Sequence, residues 1–274
     1  MNLGNLSPEH QERLKYLFEK GEAQKAKEAQ ERRQNAGKSN PIIQPVNSSV
    51  NPVINTPSQL IITPSNKFWT LDNVQYRGKD CTVELMKELL DNGNSHTQDE
   101  WADLSLQARA GDGFYTPDMP LFHGVAKSLY LAKNNSNVEE IRQFIKTNAR
   151  AKWLMTLTRL QYKPSGKDKV IHNYKQGNSL EYSLDENIVG TDDEIKNLNE
   201  PKVFQAILGD SNVKQISDIY SWINDTPSYL WRVNSKPSKL DERVAWFDAG
   251  SVRASLGCGG GPSVTCASLG VRLR

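Results

Sequence analysis

Apolar positions along this chain fall into three regimes. Residues 7–34, SPEHQERLKYLFEKGEAQKAKEAQERRQ, interleave Glu and Lys at helical spacing, with Ser7 as candidate N-cap and Pro8 at the first helical position. Leu14, Leu17 and Phe18 form one small cluster followed only by alanines, so no heptad seam is sustained. The pattern predicts a solvated helix over 1–35. Asn, Pro and Ser then recur every few residues through 36–66, which blocks helices and central strands and predicts an extended linker or arm, with a short strand-like piece at QLIIT, 59–63.

From Lys67 onward the pattern is that of a folded α+β body. KFWTLDNVQYRG alternates as a strand with a turn, whereas TVELMKELLDNG sets Val83, Met86, Leu89 and Leu90 at helical spacing with Gly93 as a stop. Helices are predicted over 121–133 and 137–157, the second with Val138, Ile141, Ile145, Trp153 and Leu157 on a common stripe. KVIHNY and LEYSLDENIVG are strand-like; helices follow over 200–208 and 212–224, the latter with Asp210 and Ser211 as cap candidates. SYLWRVN, ERVAWFDAG, VRASLGC and ASLGVRLR carry only strand signals. Helices followed by a terminal antiparallel sheet make an α+β layout rather than a βαβ series.

Composition bounds the function. With 274 residues and 37% apolar content the chain can bury one large core, 67–274, with 1–66 as an appendage. A net charge of +2 offers no field for nucleic acid as a specific ligand. No stretch approaches the ~20 apolar residues of a membrane span, and the N-terminus carries no apolar signal region. A place on a cell surface or a virus particle would therefore need another route. Cys81, Cys258 and Cys266 are too few for a disulfide framework.

One compositional break stands out. Lys, Glu, Gln, Met and Trp occupy about a quarter of positions through residue 246, yet none occurs from 247 to 274. Arg253, Arg272, Arg274 and Asp248 lie in that stretch, so polarity as such is not what is missing.

SYLWRVNSKPSKLDERVAWFDAGSVRASLGCGGGPSVTCASLGVRLR resembles the C-terminal variable region of diversity-generating retroelement variable proteins of the archaeal and archaeal-virus branch. The framework that carries the likeness is Trp231-Arg232-Val233-Asn234, Arg243-Val244, Phe247, Leu256, Cys258, Pro262 and Leu269-Gly270-Val271-Arg272. It covers 150–274 well, 67–150 loosely, and residues 1–66 not at all. The resemblance implies a C-type lectin-like domain whose variable region, about 231–274, is rewritten at adenines, mostly in AAY codons. NNY codons cannot encode the five missing residue types, in agreement with the composition. It further implies a non-catalytic, hypervariable receptor-binding protein that recognises a variable ligand, a macromolecule on another cell.

Other chemistries find less support in the residues. GCGGGPS lacks the Gly-Lys-Ser/Thr ending of a phosphate loop, and Cys258 and Cys266 have no nearby Cys or His to complete a zinc site. A formylglycine-generating type of oxidase, which shares the broad fold and uses a cysteine pair, is the alternative function; a structural virus-particle protein is the third. His123 and His172, flanked by apolar residues, read as satisfied core histidines. Asp192, Asp193 and Glu194 read as the acidic first turn of a helix capped by Thr191 rather than a cation site, and the calcium-dependent sugar-binding strings Glu-Pro-Asn, Gln-Pro-Asp and Trp-Asn-Asp are missing. No cofactor and no metal are expected.

Strand parity then selects the ligand-facing positions. Phe247, Ala249 and Ser251, then Leu256 and Cys258, take the inward set. By analogy with the family's variable positions, Asp248, Gly250, Val252, Arg253, Ser255, Gly257 and Gly259, followed by Gly261, Val264 and Cys266 in the connection to the last strand, are expected to face the ligand.

Overall fold

A computed structural model describes residues 59–184 and 187–274. The chain divides into two units, 1–55 and 56–274, and only the second is described below. The predicted N-terminal helix and most of the arm lie outside the described residues.

The second unit is mixed α+β, with five helices and two sheets. Its strands are β1 (Ile61–Pro64), β2 (Phe68–Tyr76), β3 (Lys79–Leu89), β4 (Leu154–Tyr162), β5 (Lys169–His172), β6 (Leu180–Ser183), β7 (Asp193–Glu194), β8 (Ser228–Trp231), β9 (Asp241–Ala249), β10 (Ala254–Gly260) and β11 (Leu269–Leu273). The helices are α1 (Gln98–Ala110), α2 (Met119–Leu131), α3 (Ser136–Ala151), α4 (Pro201–Leu208) and α5 (Val213–Asn224). One sheet runs β1-β2-β3-β11 and the other β6-β5-β4-β9-β10-β8-β7. All pairings are antiparallel except β8 with β10.

The folded body begins earlier than Lys67, because β1 pairs with β2 and buries Leu60 and Ile62. The strand allowed at 59–63 is thus part of the sheet rather than of an arm. The helix predicted over 82–93 is instead β3 followed by a short 3-10 turn, Leu90–Gly93. Alternation decides it: Val83 and Leu85 enter the core, while Glu84 turns the other way to Arg272 and Arg274. With β2 and β11 supplying partners on both sides, tertiary pairing overrides the helix-forming Glu, Met, Lys and Leu.

The helix predicted over 137–157 ends at Ala151, with Lys152 already extended. Val138, Ile141 and Ile145 form its buried stripe, but Leu154–Tyr162 is a central strand. The sequence reading missed α1, although Thr97 and Glu100 close a full capping box at its start. For α5 the N-cap is Asn212, whose side chain accepts from the Gln215 N–H, rather than Asp210 or Ser211. The acidic segment is not the first turn of a helix capped by Thr191: Asp193–Glu194 pairs as β7 with β8, Glu194 precedes only a short 3-10 turn, Ile195–Asn197, and Asp192 accepts from the Arg232 backbone N–H.

Helices α2, α3 and α5 pack on the larger sheet over the main core, and α4 packs on α2. Gly124 permits α2 to lie against β2, since a Cβ there would strike the Gln75 carbonyl. On the opposite face of β4 and β9, α1 brings Trp101 and Ala102 onto Met155, Leu157, Val244 and Trp246 in a second, smaller cluster. Covered on both sides, β4 is buried almost throughout. A register shift between β4 and β9 leaves the carbonyls of Thr156 and Thr158 to the buried Gln98, whose amide donates to both at 2.7 and 2.8 Å. No helix among the described residues is long and apolar enough to cross a membrane.

Candidate functional site

The β9–β10 hairpin divides its side chains as parity requires. Ala245, Phe247, Ala249, Ala254, Leu256 and Cys258 point into the main core, and Trp246, Asp248, Ser255 and Gly257 take the other face. The parallel neighbour β8 sets Tyr229 beside Ser255 and Trp231 beside Gly257, and across β9 the residue preceding β4, Trp153, stacks on Trp246. The result is a continuous face of Tyr229, Trp231, β10, Trp246 and Trp153. Trp231 is 40% exposed, Trp153 47% and Val252, at the hairpin tip, 75%.

Glycines make the bed of this face. The indole of Trp246 lies where side chains at Gly257 and Gly260 would stand, and Cδ1 of Trp231 comes within 3.3 Å of a Cβ at Gly259. Trp246 and Trp153 stack with ring centres 5.1 Å apart and planes 5° from parallel. The register of β10 shifts between Gly257 and Gly260, and the carbonyls of Cys258 and Gly259 accept from Tyr162 Oη at 2.9 Å and Arg243 Nη1 at 2.8 Å.

Two buried polar anchors hold the face from behind. Asn224 donates through Nδ2 to the carbonyls of Gly250 and Arg253 at 2.9 and 3.3 Å, closing the hairpin turn, and accepts from Arg150 Nε at 2.8 Å. Arg232 is buried on Glu200, with Nη2 donating to Oε1 at 2.9 Å and Nη1 to the Ile188 carbonyl at 3.2 Å. Pinning Arg232 inward turns the preceding residue, Trp231, outward.

The charges on the face are Arg253 and Asp248. Arg253 is exposed, with its guanidinium 4.9 Å from the Trp231 ring centre and 5.9 Å from that of Tyr229. Burial raises the Asp248 carboxyl above the usual carboxylate range, although the Trp246 N–H, the Ser255 hydroxyl and Arg253 oppose the rise.

The expected ligand-facing residues therefore separate. Val252 and Arg253 are exposed; Asp248, Gly250, Gly259, Gly261 and Val264 are half-buried, and Ser251, expected inward, is exposed because β9 ends at Ala249 and its alternation stops there. Ser255, Gly257 and Cys266 are buried and do not stand open as parity alone suggested. Trp246 covers Gly257, Ser255 lies between Tyr229 and Asp248, and Cys266 is trapped where its backbone pairs with His96 and its carbonyl accepts from Trp101 Nε1 at 2.8 Å. Sequence reasoning missed Trp153, Tyr229, Trp231 and Trp246 as parts of the face. Shared parity in SYLW was a usable signal for Tyr229 and Trp231, whereas Trp153 was hidden by its assignment to a helix.

The groups with catalytic potential are occupied structurally. His172 is bonded to Thr158 Oγ1 at 2.9 Å and to the Ala206 carbonyl at 2.8 Å, and His123 to Tyr220 Oη at 3.2 Å and Asp210 at 3.3 Å. Burial depresses both histidines. Cys258 lies in the main core and Cys266 in the smaller cluster on the other face, both as free thiols pushed up by burial to about 12. Among the described residues no group of three or more His, Cys, Asp and Glu could hold a metal. No known family, curated protein or solved structure matches this chain.

Proposed function

We propose that this chain is a non-catalytic binding protein of the retroelement-diversified kind, and that its C-type lectin-like domain presents the β8–β10–β9 face to a protein ligand on another cell. One observation carries this reading. The segment free of Lys, Glu, Gln, Met and Trp starts at residue 247, directly after Trp246, and supplies the hairpin in the middle of the face. The aromatic rim of Trp153, Tyr229 and Trp231, and the buried Trp246 on which Trp153 stacks, come from outside that segment. A fixed aromatic frame thus encloses positions that NNY codons can rewrite.

A protein ligand suits the chemistry of the face. Trp, Tyr and Arg are the residues enriched at the energetic centres of protein interfaces, and the face is a broad sheet surface with an exposed valine at its edge. The oxidase alternative requires two thiols in reach of each other, and Cys258 and Cys266 pack on opposite sides of the sheet. Catalysis by that pair is not supported.

The test has two parts. Genomic sequencing around the gene should find a reverse transcriptase beside a near-copy of the 3′ segment, differing at adenines. Replacing Asp248, Val252 and Arg253 together with other NNY-encoded residues should leave melting nearly unchanged and abolish or redirect binding. A triple variant that unfolds, or that keeps the native ligand, would remove the diversified-face reading.

A further inference from the structure

Gly257 is buried, yet no turn or positive φ requires a glycine there: it is paired with Trp246 and Trp231, at the last position of β10 in register before the shift towards Gly260. Its lack of a side chain has a different consequence. A Cβ at 257 would come 2.1 Å from Cε2 of Trp246, at the junction of its two rings, and one at Gly260 would come 2.3 Å from Cζ3 on the six-membered ring. The two glycines together are a seat for a single ring. What rests on that ring is Trp153, stacked face to face and with its far side open to solvent. The Trp246 N–H is committed as well, donating 2.8 Å to Asp248 Oδ2.

From this arrangement we propose that Gly257 is a specificity-determining positioning residue: it makes no ligand contact itself and sets where the Trp246–Trp153 platform stands. The assignment rests on the binding role proposed above and deepens it. Any side chain at 257 lifts or tilts Trp246, carries Trp153 with it, and breaks the bond that orients Asp248. Through the buried Trp246, one substitution therefore moves the exposed Trp153 and the half-buried Asp248. Gly261 differs, because a Cβ there meets only Ser263 Oγ at 4.0 Å. The lever belongs to the seat and not to glycine content in general.

The experiment uses the full chain and four variants: Gly257→Ala, Gly261→Ala as control, Gly257→Ala combined with Trp246→Leu, and Trp153→Phe to assign the signal. Two stacked indoles give an exciton couplet in the far-ultraviolet circular dichroism spectrum, which Trp153→Phe removes and so assigns. Gly257→Ala should abolish or invert the couplet, and Gly261→Ala should keep it. Should Gly257→Ala lower the melting temperature, Trp246→Leu in the same chain should restore it by vacating the space. A random dodecapeptide library displayed on phage then serves as the binding probe. Peptides selected on the wild type should lose about tenfold or more in affinity with Gly257→Ala and hold with Gly261→Ala. An unchanged couplet, or wild-type peptides kept within about twofold by Gly257→Ala, overturns the assignment. A lost couplet with no peptide selected by the wild type overturns the binding reading and the specificity role with it, while the seat remains as a packing feature.

Discussion

The indole N–H of Trp246 donates to the carboxylate of Asp248 at 2.8 Å, a bond between residues two apart on the outward side of one strand. Since burial raises the Asp248 carboxyl, the folded state binds this proton more readily than the unfolded chain does. The contribution is favourable as pH falls through the raised value towards the ordinary aspartate range near ~3.9, and is lost as pH rises through it. Asp248→Asn should therefore flatten the melting temperature against pH in that window and melt at or above the wild type at neutral pH. Parallel curves for the two proteins, over about pH 3 to 7, would show that the carboxyl carries no such strain.

Thiol reactivity separates the three cysteines. Cys258 and Cys266 are buried and held protonated by values near 12, whereas Cys81 is half-buried. In native buffer a disulfide-exchange reagent should titrate Cys81 alone, and Cys81→Ser should leave almost no fast-reacting thiol until denaturant is added. Rapid reaction at Cys258 or Cys266 in the folded Cys81→Ser protein would revive the oxidase alternative.

The N-terminal boundary is checked by truncation. A protein starting at Thr56 retains β1, and one starting at Lys67 lacks it together with the buried Leu60 and Ile62. At roughly 1.5–3 kcal/mol for each buried aliphatic side chain, the shorter protein should melt several degrees lower. Equal melting of the two would mean that β1 adds nothing to the sheet.

Core and face positions should respond in opposite ways. Leu269 is buried beside Val271 on β11, so Leu269→Ala should cost about 2–5 kcal/mol in denaturant melts. Val252→Ser, at the exposed tip of the hairpin, should stay within about 0.5 kcal/mol and still weaken ligand binding.

The hairpin turn depends on one buried amide. Removing it by Asn224→Ala takes the Nδ2 donor from the Gly250 and Arg253 carbonyls and the Oδ1 acceptor from Arg150 Nε, while the Arg253 carbonyl keeps the Gly250 N–H and Arg150 keeps the Asn224 carbonyl. A loss of about 1–3 kcal/mol is expected for the hydrogen bonds removed. Faster amide exchange at 250–253 in that variant should locate the effect at the turn.

The sequence by itself determined what depends on local periodicity and composition. Strict alternation in ERVAWFDAG and VRASLGC was enough to send Phe247, Ala249, Leu256 and Cys258 inward, because the pleat allows only two directions. The stripe of Val138, Ile141 and Ile145 was enough for a helix, and the missing residue types marked off 247–274 before any coordinate was known. Tertiary structure decided the matters that need a neighbour. Glu84, Met86 and Leu89 favour a helix until β2 and β11 pair on either side of them. Parity also says only which way a side chain leaves its strand; whether it meets solvent depends on what another element lays over it. Gly257 points to the outer face as expected and is buried there, because Trp246 of the adjacent strand occupies the space that its missing side chain leaves free.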